Sequence, residues 1–310
     1  MISRVADHCF WFGRYLERTE STARLLQVTA SLALDSELTP QQCWQPVVIT
    51  AGEQERFTQL CGPFAAADGD AVQRYLTLDE RVPVSLRRSV AAARENARSS
   101  RDVISLEAWE IVNELYLYLE SATAREDFED HPYGFYRRVR REAQLCLGLL
   151  RATMLHDTPL YFCWLGVLLE RVGQTARILD VQYHAFLAAE SAGRGAYPIV
   201  EVSLWLSLLR ACYGFEPFMK IHRGIVSAQP RAYARIEALE AWTDGQHATP
   251  LDAKAVHEIL TRVVDETHAV CDLVQSELIA AEPQPQSQSQ SQSQGVQTQM
   301  QSHSSSNGGA

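Results

Sequence analysis

Long hydrophobic runs are missing from this sequence. No apolar stretch approaches the roughly 20 residues that a membrane-spanning helix needs. The most apolar one, around 160–169, is closed by Glu170 and Arg171. Basic charge is in deficit: 28 Lys and Arg stand against 38 Asp and Glu, a formal net charge of −10. That balance argues against a general nucleic-acid binder, which presents a basic face to phosphates. The seven cysteines (Cys9, Cys43, Cys61, Cys146, Cys163, Cys212, Cys271) include no Cys-x-x-Cys pair. A scattered set of this kind reads as reduced thiols packed in a core, hence a cytoplasmic protein. The opening Met-Ile-Ser-Arg-Val-Ala-Asp-His lacks the basic start, apolar run and small-residue site of a secretory signal.

The chemistry-bearing motifs are as sparse. Asp265-x-x-His268 and Asp180-x-x-x-His184 each place two ligand types on one helix face. A di-iron bundle needs a second acid-x-x-His helix and further glutamates, so neither a metal nor another cofactor is expected. Gly193-Arg194-Gly195 follows a helical pattern rather than a strand and lacks the Lys-Ser/Thr of a phosphate loop, so it reads as a plain loop. No nucleophile triad is apparent, and alternating strand-type runs are nearly absent.

What remains is helical. The 310 residues are 46% hydrophobic, enough for a full core. A run from Ala6 to about Leu34 has no Pro, and Thr39-Pro40, Thr158-Pro159 and Thr249-Pro250 are cap-then-Pro helix starts. Asp70 is placed to cap a short helix through Leu76. Further patterns cover about 84–99, 103–124, 134–155, 159–189, 199–213, 216–227, 230–242 and 250–281. The fold class is therefore all-α: a helical bundle built from two pseudo-symmetric halves, with a disordered C-terminal tail. The helical domain is taken as 1–281, with half-repeats at about 1–155 and 156–281. The Gln/Ser-rich tail, 282–310, has too few apolar residues to offset its ordering entropy.

The two halves rest on a repeat. Residues 11–28, beginning Trp11-Phe12-Gly13-Arg14-Tyr15-Leu16-Glu17-Arg18, align with residues 164–181, beginning Trp164-Leu165-Gly166-Val167-Leu168-Leu169-Glu170-Arg171. Ten of the 18 aligned pairs are identical, far above chance for average composition. A weaker match sets Trp44, Val47-Val48 and Gly52 against Trp205, Leu208-Leu209 and Gly214. On a helical wheel, Gly13, Glu17, Arg24 and Val28 share one stripe, as do Gly166, Glu170, Arg177 and Val181. A glycine inside a helix costs roughly 1 kcal/mol relative to alanine but admits another backbone closely. The two copies are therefore expected to pack against each other at their glycines, with Glu17 facing Arg177 and Glu170 facing Arg24. Such a centre serves either as an ion-pair network fixing register or as a site for an anionic or zwitterionic ligand. Arg14 and Glu20 become Val167 and Gly173, so the centre is not fully symmetric.

A second constellation has no counterpart in the other half. Arg94, Arg98 and Arg101 are spaced i, i+4, i+7, and Glu107, Glu110 and Glu114 are spaced i, i+3, i+7, with Asn113 beside them. The ordinary reading is a solvated helix pair with surface salt bridges worth roughly 0–1 kcal/mol each. In the functional reading, Arg101 holds a carboxylate or phosphate, and Glu107 or Glu110 acts as acid, base or ammonium ligand. The candidates are thus Glu107 and Glu110 for catalysis, and Glu17, Arg24, Arg101, Asn113, Glu170 and Arg177 for substrate binding. Arg137, Arg138, Arg140 and Arg141, after Phe135-Tyr136, read as a solvated face or docking patch. The aromatics Tyr116, Tyr118, Tyr161, Phe162, Phe215 and Phe218 are assigned to the core.

The block Ser3-Arg4-Val5-Ala6-Asp7 followed by Phe10 to Leu26 resembles the amino-terminal signature of the bacterial alpha-E domain family. Ala93-Arg94-Glu95-Asn96-Ala97-Arg98, then Arg101 to Asn113, is similar to a second family block, and Leu165-Gly166 to Asp180 to a third. The middle block departs where family members often carry Gln near Val103 and Leu at Val112. The resemblance implies an all-helical protein encoded beside, or fused to, a circularly permuted ATP-grasp enzyme, often with a transglutaminase-like protein nearby. It implies an accessory or co-catalytic partner of an ATP-grasp-type ligase that forms amide bonds, binding that enzyme or a peptide-like substrate in a polar groove. The alternatives are a stand-alone enzyme of amide transfer or hydrolysis using the Glu/Arg pairs, and a non-catalytic helical scaffold.

Overall fold

The computed structural model describes residues 3–36, 38–191, 198–222 and 253–279. Among them there are helices and turns and no strand. The predicted tail, the 230–242 helix and the Thr249-Pro250 start lie outside the described residues.

Two long helices form the axis: α1 (Ser3–Asp35) and α9 (Thr158–Ser191). At 1.5 Å per residue each is roughly 50 Å long. After α1 come α2 (Pro40–Thr50), α3 (Gln54–Cys61) and α4 (Gly69–Thr77). Thr39 starts α2 with a full capping box: its hydroxyl accepts from Gln42 N–H while the Gln42 side chain accepts from the Thr39 N–H. Asp68, not Asp70, caps α4, accepting from the N–H groups of Asp70 and Ala71. In Asp68-Gly69-Asp70 either acid had the chemistry of a cap; the helix begins one residue early enough to use the first.

Then come α5 (Leu86–Ser99), α6 (Leu106–Glu120), α7 (Ala122–Asp130) and α8 (Pro132–Thr153). The helix predicted over 103–124 is two helices. Ser121 ends α6 in an extended conformation and its hydroxyl caps Ala124 N–H, starting α7. After α9 come α10 (Pro198–Ala211), α11 (Phe215–His222) and α12 (Ala253–Leu273), which continues into wider π-type turns, Val274–Ile279.

α1 touches α9, α5, α8, α10 and α2, so its buried face runs nearly all the way round. Its carboxy-terminal half packs Leu25, Leu26 and Leu32 with Trp44 of α2, Tyr136 of α8, Ile178 of α9 and Trp205 of α10. Its amino-terminal half packs Cys9, Phe12 and Leu16 with Ala97 of α5, Val112 of α6, Leu150 of α8 and Cys163 of α9. Phe10, Phe12, Leu16 and Leu26 are fully buried, each worth roughly 1.5–3 kcal/mol. A third, smaller cluster seats Cys271, Val274 and Ile279 on Ala6 and Phe10. All seven cysteines are free thiols, but Cys61 is exposed rather than in the core. Tyr161 is likewise 61% exposed, against the core placement read from the sequence.

Candidate functional site

α1 and α9 meet at their glycines. A Cβ on Gly13 would stand 2.0 Å from the carbonyl oxygen of Cys163, and one on Gly166 would stand 2.1 Å from that of Phe10. Each glycine thus faces the carbonyl three residues before the other, and no side chain fits at either position. One turn further along both helices, the repeated Glu-Arg dipeptides interlock. Arg171 donates from Nε and Nη2 to the two carboxylate oxygens of Glu17, both at 2.8 Å. Arg18 donates from Nε to Oε1 of Glu170 at 2.7 Å and from Nη2 to Oε2 at 2.9 Å. The contacts exchange into one another when the two copies are interchanged.

The pairing differs from the sequence expectation. Glu17 meets Arg171 instead of Arg177, and Glu170 meets Arg18 instead of Arg24. Arg24 and Arg177 lie eleven residues beyond the glycines, roughly 16 Å along each helix, where crossing helices have diverged. The arginines one turn past the crossing are near enough, and their long side chains reach around the helix.

Arg14 adds a third guanidinium, donating from Nε to Oε2 of Glu170 at 2.9 Å. Its counterpart Val167 is a buried apolar residue, so among the described residues Glu17 has no such second guanidinium partner. Glu17 and Glu170 are 1% and 4% exposed, with both oxygens of each carboxylate engaged. Burial alone would raise the Glu170 pKa, but the guanidiniums of Arg18 and Arg14 outweigh it and hold the acid at about 2. The carboxylate therefore stays ionised. Arg171 shifts upward, first through its hydrogen bonds to Glu17.

Arg177 meets His268 of α12 at 3.1 Å, and burial lowers its pKa. Asp180 takes Nδ1 of His257 at 2.7 Å. The α12 segment thus closes one side of α9. On the other side, Arg24 packs on Tyr213, its guanidinium 3.7 Å from the ring centroid. It also donates to Oε2 of Glu20 at 3.2 Å and to the Ala211 carbonyl.

The α5–α6 candidates lie on an open face. Glu107, Glu110 and Glu114 are all exposed. Arg101 is beyond the end of α5, in the turn before α6, so the three-arginine helical stripe is not formed. Arg101 instead lies over the Trp109 ring at 4.8 Å. Arg94 donates to Oδ1 of Asn113 at 2.8 Å and lies over Tyr116 at 4.6 Å. The ion pairs of Arg94 and Arg98 are with Glu95 of their own helix rather than with the glutamates of α6.

Glu-Arg occurs four times in the chain: 17–18, 55–56, 80–81 and 170–171. Residues 55, 56, 80 and 81 are exposed, and only the first and last dipeptides form the interlocked centre. A family model, Alpha-E, described as a predicted alpha-helical domain with a conserved ER motif, matches residues 1–238. This chain belongs to the Alpha-E family. No curated protein and no solved structure matched it in the corresponding comparisons.

Within this Alpha-E chain, one arginine departs from the surface role expected of it. Arg140, taken with its neighbours as part of a solvated face, turns inward, donating to Oε1 of Glu20 at 3.2 Å and to Oε1 of Gln27 at 2.7 Å. Gln144 reaches the same Glu20 oxygen at 3.1 Å and the Tyr213 hydroxyl at 3.0 Å. Glu20 is fully buried. The available signal was its replacement by Gly173 in the repeat: a charge placed inside a buried helix in only one copy requires a partner outside the repeat.

Proposed function

We propose that this Alpha-E chain is an accessory or co-catalytic partner of an ATP-grasp-type ligase that forms amide bonds on a peptide-like substrate. The resemblance of the sequence to the alpha-E family is what favours such a ligase as the partner. The α5–α6 face is the observation that supports a docking role. Arg94, Arg101, Trp109 and Tyr116 are stacked together there, and Leu106 and Leu117 are 59% and 56% exposed beside them. Trp, Tyr and Arg clusters with apolar neighbours are the residue types that dominate protein–protein binding energy. The acids Glu107 and Glu110 stand on that face, able to meet an ammonium group or a proton in a joint site. Glu17 and Glu170 take the register-fixing role, since their oxygens are occupied within the protein.

The test is co-elution of the purified chain with the ATP-grasp protein encoded beside it, together with the ligase rate with and without the chain. Co-elution, a changed rate, and at least tenfold weaker association in Arg101→Glu or Leu106→Asp are expected. Absence of both co-elution and a rate change in the wild type would remove the partnership. Glu107→Gln and Glu110→Gln read the co-catalytic part: both retaining the full rate of the complex would leave docking alone.

A further inference from the structure

Along the outer side of α1's carboxy-terminal half runs a cavity of about 670 Å³, within the range of sites for small ligands. Its long wall is a helical stripe on α1: Arg24, Gln27, Val28, Ser31 and Asp35. The eleven helical steps from Arg24 to Asp35 span roughly 16 Å. α8 forms the opposite wall and runs antiparallel to α1, since Gln144 meets Glu20, Arg140 meets Gln27, and Tyr133 lines the cavity further on. α10 contributes Ser203, Ser207 and Arg210, and it ends where its Ala211 carbonyl accepts from Arg24.

Charge is sorted along this trough. At one end stand three guanidiniums. Arg24 and Arg140 share one carboxylate, Glu20. Arg210, exposed, lies 4.5 Å over the Phe215 ring and has no ion-pair partner among the described residues. With Glu20 and the rim acid Glu216 counted against them, the end keeps a surplus positive charge. Val28, Leu32 and Leu206 line the middle. At the far end stands Asp35, also without an ion-pair partner among the described residues, with Ser31 and Tyr133 lining the same cavity.

We infer that this trough binds a short, extended peptide with both termini free, its carboxylate between Arg140 and Arg210 and its ammonium at Asp35. An extended chain advances about 3.3–3.6 Å per residue, so the distance between the charged ends fits four to five residues. Guanidiniums match a carboxylate bidentately, and the apolar middle accepts side chains of varied sequence. A lone inorganic anion would use only one end and leave Asp35 facing no cation. None of the eight residues chosen from sequence as candidates, Arg24 excepted, lines this trough. The inference rests on the peptide-handling role proposed above and names its site.

The probe is a random-sequence pentapeptide library with free ends, equilibrated with the full chain and retained by ultrafiltration, with bound peptides counted by mass spectrometry. The C-amidated and N-acetylated libraries are run in parallel, and inorganic phosphate separately. Free-ended peptides are expected to be retained at least tenfold over amidated ones. Arg210→Gln, on an exposed side chain whose loss leaves the core intact, should abolish that preference. Asp35→Asn should abolish the preference over acetylated peptides while keeping the carboxylate preference. Equal retention of amidated peptides, an unchanged preference in Arg210→Gln with an unaltered melting curve, or phosphate retained in place of any peptide would overturn the assignment. The ligase assay reads separately: peptide retention with no effect on the ligase keeps the trough and removes the partnership, and ligase stimulation without retention does the reverse.

Discussion

Replacing Gly13 by alanine adds one methyl group, yet the surroundings make it costly. The new Cβ would lie 2.0 Å from the Cys163 carbonyl oxygen, where real contacts of this kind do not fall below 3.0 Å. The obstacle is the backbone of α9, so no side chain can swing aside and the helices must separate by about 1 Å. A separation of that size carries the 2.8 Å Glu17–Arg171 hydrogen bonds toward the limit of useful geometry. Overpacking typically costs about 1–3 kcal/mol, and weakening a buried ion pair adds part of the roughly 3–5 kcal/mol that losing a partner costs. Alanine returns about 1 kcal/mol of helix propensity. The net expectation is destabilisation by about 3–5 kcal/mol, a large share of the roughly 5–15 kcal/mol typical of a domain. Gly148 is the internal control: it is exposed in α8, with nothing within 4 Å of its added Cβ. Gly148→Ala should stabilise by about 0.5–1 kcal/mol. Urea titration followed by circular dichroism reads both, as a midpoint shift at unchanged slope. Gly13→Ala falling within about 0.5 kcal/mol of wild type, inside the usual surface range, would refute the reasoning. Gly13→Ala with Gly166→Ala should cost less than the sum, because the first substitution already opens the crossing.

Other outcomes follow from the same contacts. Folding lowers the Glu170 pKa from 4.5 to about 2, so its stabilisation is complete above the ordinary glutamate range and is lost as pH falls through that window. The loss is about 3 kcal/mol, and a pH series of urea midpoints should show it reduced by that amount in Glu170→Gln. Thr39→Ala removes the capping box of α2 and should lower stability by about 1 kcal/mol in the same titration. Native thiol labelling should modify Cys61 first and Cys212 more slowly, leaving the five buried cysteines until denaturant is added. Labelling at Cys61 should accelerate with pH, because partial desolvation of its sulfur and the nearby Asp79 raise its thiol pKa.

The glycine crossing was legible because a helix-interior glycine repeated at a fixed offset implies a close backbone neighbour, and the repeat itself supplied the candidate. The pairing across it was misjudged because a helical wheel ranks residues by angle and ignores distance from the crossing point. That distance favours Arg18 and Arg171 over Arg24 and Arg177. The end of α6 at Ser121 was missed because its periodicity continues into α7, and a serine cap is a weak signal without a proline or glycine. Arg140 reads as surface in its own run of arginines. Only the position of Glu20 on another helix turns it inward. The trough was invisible for the same reason: its walls come from three helices far apart in sequence, and each contributes a stripe that by itself looks like an ordinary polar face.

The interlocked Glu-Arg centre is tested most directly by a double-mutant cycle on Glu17 and Arg171, using glutamine at each position and reading unfolding free energy. Each single change should be strongly destabilising and the pair little worse than either, a coupling of at least about 1 kcal/mol, while Glu17 with Arg177 should be additive. Additivity between Glu17 and Arg171 would contradict the account.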